Sequence, residues 1–130
     1  MTQPTGPQAA ADAGAPPNDP SSLERLKRFG GGKLLGEMIA LFLSTAVERI
    51  AAARQGLDAG DAKAAEMALH SLKSSSAQLG AVQMQRLSEH GERIAHAGEL
   101  DGLEDVIRNL EEEFPRVQDW LGRARTVEAP

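Results

Sequence analysis

Cysteine is absent from the sequence. That excludes a disulfide framework, thiolate metal ligands and thiol catalysis, and it suits a reducing, cytoplasmic setting. Aromatic residues make up only 3% of the chain and tyrosine is missing, so any core must be aliphatic. The β-branched and aromatic runs that build strands are nearly lacking, while Leu, Ala, Glu and Arg are frequent, which favours an all-helical chain. Basic residues are outnumbered, 14 Lys and Arg against 19 Asp and Glu, for a net charge of −5. A nucleic-acid binder needs a basic surface to displace counterions, so this balance argues against one. No apolar run approaches the roughly 20 residues of a membrane span. The N-terminus also lacks the basic-then-apolar pattern of a secretory signal.

What is present is enough for one domain, with 41% hydrophobic residues in 130. Residues 1–20 hold Pro4, Pro7, Pro16, Pro17 and Pro20 among Ala, Gly, Thr and Gln. They show no apolar periodicity and are expected to form a disordered leader. The domain is then expected over residues 21–126. Ser21-Ser22-Leu23-Glu24 has the spacing of a capping box, which opens a short helix to about Arg28, stopped by Gly30-Gly31-Gly32. A long helix follows over 33–55, with Leu35, Met38, Ile39, Phe42, Ala46 and Ala53 on one stripe. Leu34 and Leu41 fall on one flank of that stripe and Leu43 and Val47 on the other. Residues 55–61 read as a turn, with Asp61 capping a helix over 62–79 that ends at Gly80. Another helix covers 82–97, with Met84, Leu87, Gly91, Ile94 and Gly98 on one face. Asp101-x-x-Glu104 resembles a second capping box. The last helix carries Leu103, Val106, Ile107, Leu110, Phe114, Val117 and Leu121, with a kink expected at Pro115 and fraying from about Thr126. The acidic run Glu111-Glu112-Glu113 reads as a solvated face, with Glu113 nearest the core edge. Four amphipathic helices joined by short loops predict an all-α, antiparallel up-down-up-down four-helix bundle, with a short extra N-terminal helix.

The most informative stretch is His70-Ser71-Leu72-Lys73-Ser74-Ser75-Ser76-Ala77. On the 62–79 helix the apolar stripe is Ala65, Leu69, Leu72, Ser76 and Leu79, with Ala68 beside it. At 100° per residue its centre lies about 150° from His70. His70 shares its own face with Lys63, Glu66, Lys73, Ser74 and Ala77, so it points to solvent. Lys73 sets a cation beside the imidazole, and the small Ser74 and Ala77 leave the ring approachable. That combination suits a nucleophile that carries a phosphoryl group. Two rival readings compete. In one, the chain is a non-catalytic helical adaptor and His70 is incidental. In the other, His70, His90 and His96 hold a metal, but His90 and His96 are about 240° apart on a helix and cannot chelate from one face. The chain also lacks the H-x-x-x-H and E-x-x-H pairs that build metal sites in bundles.

The segment from His70 to Ala81 resembles the H-x-L-K-[GS]-S-S-A-x-x-G-A signature of histidine-containing phosphotransfer (HPt) domains, the intermediate carriers of multistep phosphorelays. The resemblance extends from about Leu34 to Leu121. It includes Leu41-Phe42-Leu43, the Gly60-Asp61 turn, and Glu112-Glu113-Phe114 with Val117. It implies that His70 is the phospho-acceptor and that Lys73 neutralises the transferring phosphoryl group. Ser74 stands at a position often held by glycine and keeps access open. Glu92 falls where relatives carry Glu or Gln near the imidazole. The residue before it is Gly91, where leucine is usual, a departure expected to loosen local packing.

The resemblance further implies a stand-alone carrier that takes a phosphoryl group from the aspartyl phosphate of a receiver domain and passes it to another receiver. Its partners would be response-regulator receiver domains and a hybrid sensor kinase. Mg²⁺ would sit on the receiver, leaving this chain without a cofactor or metal of its own. An apolar rim for docking would come from Met67 and from Leu34, Met38 and Leu41, with the small Ala77 nearby. A closed bundle of this kind can act as a monomer. No phosphate-binding glycine loop is present, so the chain does not read as an autonomous kinase.

Overall fold

The computed structural model describes residues 17–128. Among these, four α-helices pack around one apolar core: α1 (Pro20–Asp58), α2 (Ala62–Leu79), α3 (Val82–His96) and α4 (Leu103–Glu128), the last preceded by a 3₁₀ turn at Leu100–Gly102. Each helix packs against two main neighbours: α1 against α2 and α4, and α3 against α2 and α4. The core takes Leu35, Ile39, Phe42 and Ala46 from α1, Leu69 and Leu72 from α2, Met84 from α3, and the full expected stripe of α4, from Leu103 to Leu121. No helix among the described residues is long and apolar enough to cross a membrane.

The N-terminal region departs from expectation in two ways. Residues 1–16, most of the expected leader, lie outside the described residues, but its last four do not. Asp19 N–H donates to Gly80 O at 2.7 Å, and Gln83 N–H donates to Pro17 O at 2.9 Å. Two backbone hydrogen bonds thus pin this segment to the α2–α3 turn. The helix cap is Asp19 rather than Ser21. Pro20 occupies the first helical position, where its missing N–H costs nothing, and the Asp19 carboxylate accepts from Ser21 N at 3.0 Å and Ser21 Oγ at 2.8 Å. The glycine triplet does break the helix, as expected. Only Gly31 leaves helical geometry, at φ 78 and ψ −178, so α1 is two helical arms joined at one residue that a side chain would strain.

Other boundaries shift for steric reasons. The first long helix continues to Asp58 instead of stopping at 55, and Gly56 is buried inside it. A Cβ at Gly56 would lie 2.8 Å from Ala65 N, so this glycine marks where α1 and α2 cross closely. Asp61 caps α2 as expected, accepting from Ala64 N at 3.0 Å. The buried seam of α3 is Met84, Ser88, Gly91 and Ala95. Leu87 and Ile94 flank it half-buried and Gly98 is exposed, because three small residues let the helix approach its neighbours closely. Asp101 lies in the 3₁₀ turn. Glu104 reaches across to Arg54 Nη1 at 2.6 Å instead of closing a capping box. Glu111 takes the same guanidinium at 2.8 and 3.1 Å, tying α1 to α4. Glu113 is buried, with Arg116 at 3.1 Å. Helix α4 runs through Pro115 without interruption. Pro115 and Glu111, whose carbonyl loses its helical donor, both lie on the exposed side of the helix.

Gly80 ends α2 at φ 77, and a Cβ there would sit 2.3 Å from Asp19 O. Gly80→Ala would both strain the left-handed backbone and break the N-terminal clip. It is expected to cost roughly 1–3 kcal/mol, read as a lower urea midpoint at unchanged slope. An unaltered midpoint would refute this account of the turn.

Candidate functional site

Helix α2 buries Ala65, Ala68, Leu69, Leu72, Ser76 and Leu79, which turns the opposite face outward in mid-helix. His70 stands on that face with its side chain 62% exposed. Its Nδ1 lies 2.7 Å from Glu92 Oε2 on α3. The other oxygen of the same carboxylate, Oε1, lies 2.7 Å from Lys73 Nζ. Glu92 therefore bridges two side chains of α2, three residues apart. The proton of the hydrogen bond to Glu92 belongs on Nδ1, since a carboxylate only accepts. In the neutral ring the remaining nitrogen, Nε2, then keeps its lone pair, with no partner among the described residues, on a side chain that is largely exposed.

Glu92 is 19% exposed and Lys73 28%, so the carboxylate works from a partly covered position. Burial by itself would raise its pKa. Hydrogen bonds from Lys73 and His70, reinforced by their charge, outweigh burial and hold it below its ordinary value of 4.5. Glu92 is thus an anion at neutral pH.

The structure corrects the expectation at Gly91. Packing is not loosened there. A Cβ on Gly91 would meet Leu69 Cδ1 at 2.9 Å, Val106 Cγ1 at 3.0 Å and Leu103 Cδ1 at 3.4 Å. Side chains of α2 and α4 fill the space that a larger residue would claim. This close seat sets the depth at which the next residue, Glu92, meets α2.

Ser74 is exposed one turn after His70, as is Ala77 a turn further on. An open groove beside the imidazole is lined by Lys63, Glu66, Met67, His70, Ser71 and Glu92. Of the expected docking residues, Met67 lines this groove and is exposed. Leu41 on α1 is also exposed, whereas Leu34 and Met38 are half-buried; these three and Ala77 do not line the groove. His90 is exposed on α3. Among the described residues, no group of three His, Cys, Asp or Glu side chains is placed to hold a metal ion. A second contact escaped the sequence reading: His96 Nδ1 lies 2.8 Å from Glu66 Oε2. Its signal was available in the repeated spacing Glu66-x-x-x-His70 and Glu92-x-x-x-His96.

The family model for the Hpt domain matches residues 37–120, which contain all of α2 and α3. The chain belongs to the Hpt domain family. Its structure is also similar to the crystal structure of histidine-containing phosphotransfer protein B (HptB) from Pseudomonas aeruginosa PAO1. That likeness has a TM-score of 0.83 at 28% identity and covers 88% of this chain and 99% of that one. No curated protein matches the sequence. As an Hpt domain, the chain serves histidine phosphotransfer in a phosphorelay of two-component signalling. Hpt domains work with receiver domains and kinases in phosphorelays.

Two outcomes test the geometry. Gly91→Leu should destabilise the fold by about 1–3 kcal/mol through overpacking, measured by urea unfolding; a variant as stable as the parent would show that the pocket is looser than described. The depressed Glu92 pKa predicts stability that is fully present above pH 4.5 and lost as pH falls through the lower folded value. The stability gap between wild type and Glu92→Gln should therefore shrink on acidification below that pH. A gap that widens there would mean the carboxylate is not stabilised as an anion.

Proposed function

We propose that His70 is the phospho-acceptor, and that Nε2 is the atom that carries the phosphoryl group. The observation that supports this most directly is the hydrogen bond from Nδ1 to Glu92, which leaves the Nε2 lone pair outward on an exposed ring. In the step, the lone pair attacks the phosphorus of a receiver's aspartyl phosphate. The new N–P bond forms as the acyl P–O bond breaks, and the receiver carboxylate departs with the electron pair. The ring becomes a phosphorylated imidazolium whose Nδ1–H still points at Glu92, so the anion offsets the positive charge that develops. Return of the phosphoryl group to a second receiver reverses these events.

Phosphoryl transfer depends mainly on positioning and charge neutralisation. Lys73, held at Glu92, is one flexible side chain away from the phosphoryl oxygens, and it supplies the protein's own cation. Ser74 keeps the approach open. Mg²⁺ belongs on the receiver, and the chain contributes no cofactor. The docking surface combines Met67 in the groove with Leu34, Met38 and Leu41 on α1 and Ala77 past Ser74. The reading further takes the four helices as an antiparallel up-down-up-down bundle, acting as a cytoplasmic monomer between a hybrid sensor kinase and response regulators. The ring of helix neighbours supports the bundle order.

Incubation with a phosphorylated receiver domain, or with a hybrid kinase and ATP, should give acid-labile, base-stable phosphate on the protein. His70→Gln should abolish that label, and label that persists would defeat the assignment. Lys73→Ala should slow transfer roughly tenfold without loss of folding. That is less than the roughly 10²–10³-fold cost of a donor removed from an enclosed site, because Lys73 is partly solvated. An unchanged rate would remove Lys73 from the reaction.

A further inference from the structure

Helices α2 and α3 meet through two reciprocal contacts. Glu92 of α3 takes His70 of α2 at 2.7 Å, and Glu66 of α2 takes His96 of α3 at 2.8 Å, both through Nδ1. Each glutamate is 19% exposed, and each has a lysine of α2 beside it, Lys73 at 2.7 Å and Lys63 at 3.8 Å. The likeness stops at the electrostatic surroundings. His70 lies mid-helix, whereas His96 is the last residue of α3. There the helix carbonyls present the negative end of the dipole, which repels a phosphoryl group. Lys63 is also 77% exposed and farther from its glutamate than Lys73 is from Glu92. The second pair has the hydrogen bonding of an acceptor without the electrostatics of one.

Its position gives it another use. Glu66 precedes His70 by four residues, a rise of about 6 Å. A standard protein interface buries about 800 Å² on each side, a disc of roughly 16 Å radius. A partner that brings a phosphoryl group to His70 Nε2 therefore covers the Glu66–His96 pair as well. Glu66 and His70 also line one groove. The pair contributes little to the fold, since His96 is 77% exposed and surface pairs of this kind are worth little. With Nδ1–H held by Glu66, a neutral His96 ring offers Nε2 outward as an acceptor in a fixed direction.

We propose that the Glu66–His96 pair is a specificity-determining contact for the receiver domain, with His96 Nε2 accepting from an N–H or O–H on the receiver surface. Glu66 acts as the positioning residue that fixes the ring. The inference rests on the relay reading of His70.

The test uses the full chain and a panel of receiver domains phosphorylated with acetyl phosphate, with steady-state transfer measured for the receiver that labels wild type fastest. His96→Leu and Glu66→Ala should each raise the KM for that receiver about fivefold, the net worth of roughly one hydrogen bond, while kcat changes less than twofold. His90→Leu should alter neither, because His90 lies about 200° round α3 from Glu92. Thermal unfolding confirms that each variant is folded. If wild type transfers normally and both variants keep its KM, this inference fails and the relay reading stands. A fall in kcat at constant KM also overturns it, since the pair would then act on the chemistry. If no receiver labels wild type at His70, the relay reading fails and takes the inference with it.

Discussion

The carboxylate of Glu92 has to remain ionised in a partly covered position and hold two groups of the neighbouring helix at once. Its two oxygens divide the task, Oε2 on the His70 imidazole and Oε1 on the Lys73 ammonium. Neither contact survives a change in how far α3 stands from α2. Gly91 sets that distance by letting Leu69, Val106 and Leu103 occupy the place of a side chain. Ser88 and Ala95 extend the same close seam along α3. The left-handed Gly80 turns the chain sharply between the two helices. The small residues of this region are therefore part of the site, although none of them touches the imidazole.

Apolar packing and polar positioning are separated across α2. One face buries Leu69 and Leu72 completely. The other carries His70 into solvent, steadied from the side by a single residue of α3. A ring exposed to this degree is not enclosed, so its orientation comes from hydrogen bonding rather than from a surrounding cavity. The bundle supplies an aliphatic interior beneath the helix and leaves the His70 ring largely uncovered.

The helical period made much of this legible. The outward face of His70, the span of α2 from its Asp61 cap to Gly80, and the whole α4 stripe follow from residue spacing alone, because each is a property of one helix. What was misread depends on two elements meeting. Ser21 matches a capping pattern, but Asp19 with Pro20 behind it makes the better cap once the segment is clipped to the α2–α3 turn. Gly56 looks like a helix stop until Ala65 is seen to pass 2.8 Å from its missing Cβ. Leu87 and Ile94 outrank Ser88 and Ala95 in hydrophobicity, yet close helix packing chooses the smaller pair. The Glu66–His96 contact is hinted at by the matched Glu-x-x-x-His spacing of α2 and α3, but pairing the two requires the register between the helices.

The clip formed by Pro17 and Asp19 fixes a tethering point. Gly80, to which Asp19 is bonded, lies ten residues beyond His70, about 15 Å along the helix. A flexible linker reaches about 5–6 Å times the square root of its length, so about eight residues cover that distance. A phosphodonor domain joined ahead of Pro17 would thus search for His70 from a fixed post at one end of the same helix. Short flexible tethers of this kind correspond to effective concentrations in the millimolar range. In such a fusion the tether would supply the encounter, and the surface around His70 would be relieved of much of the burden of affinity.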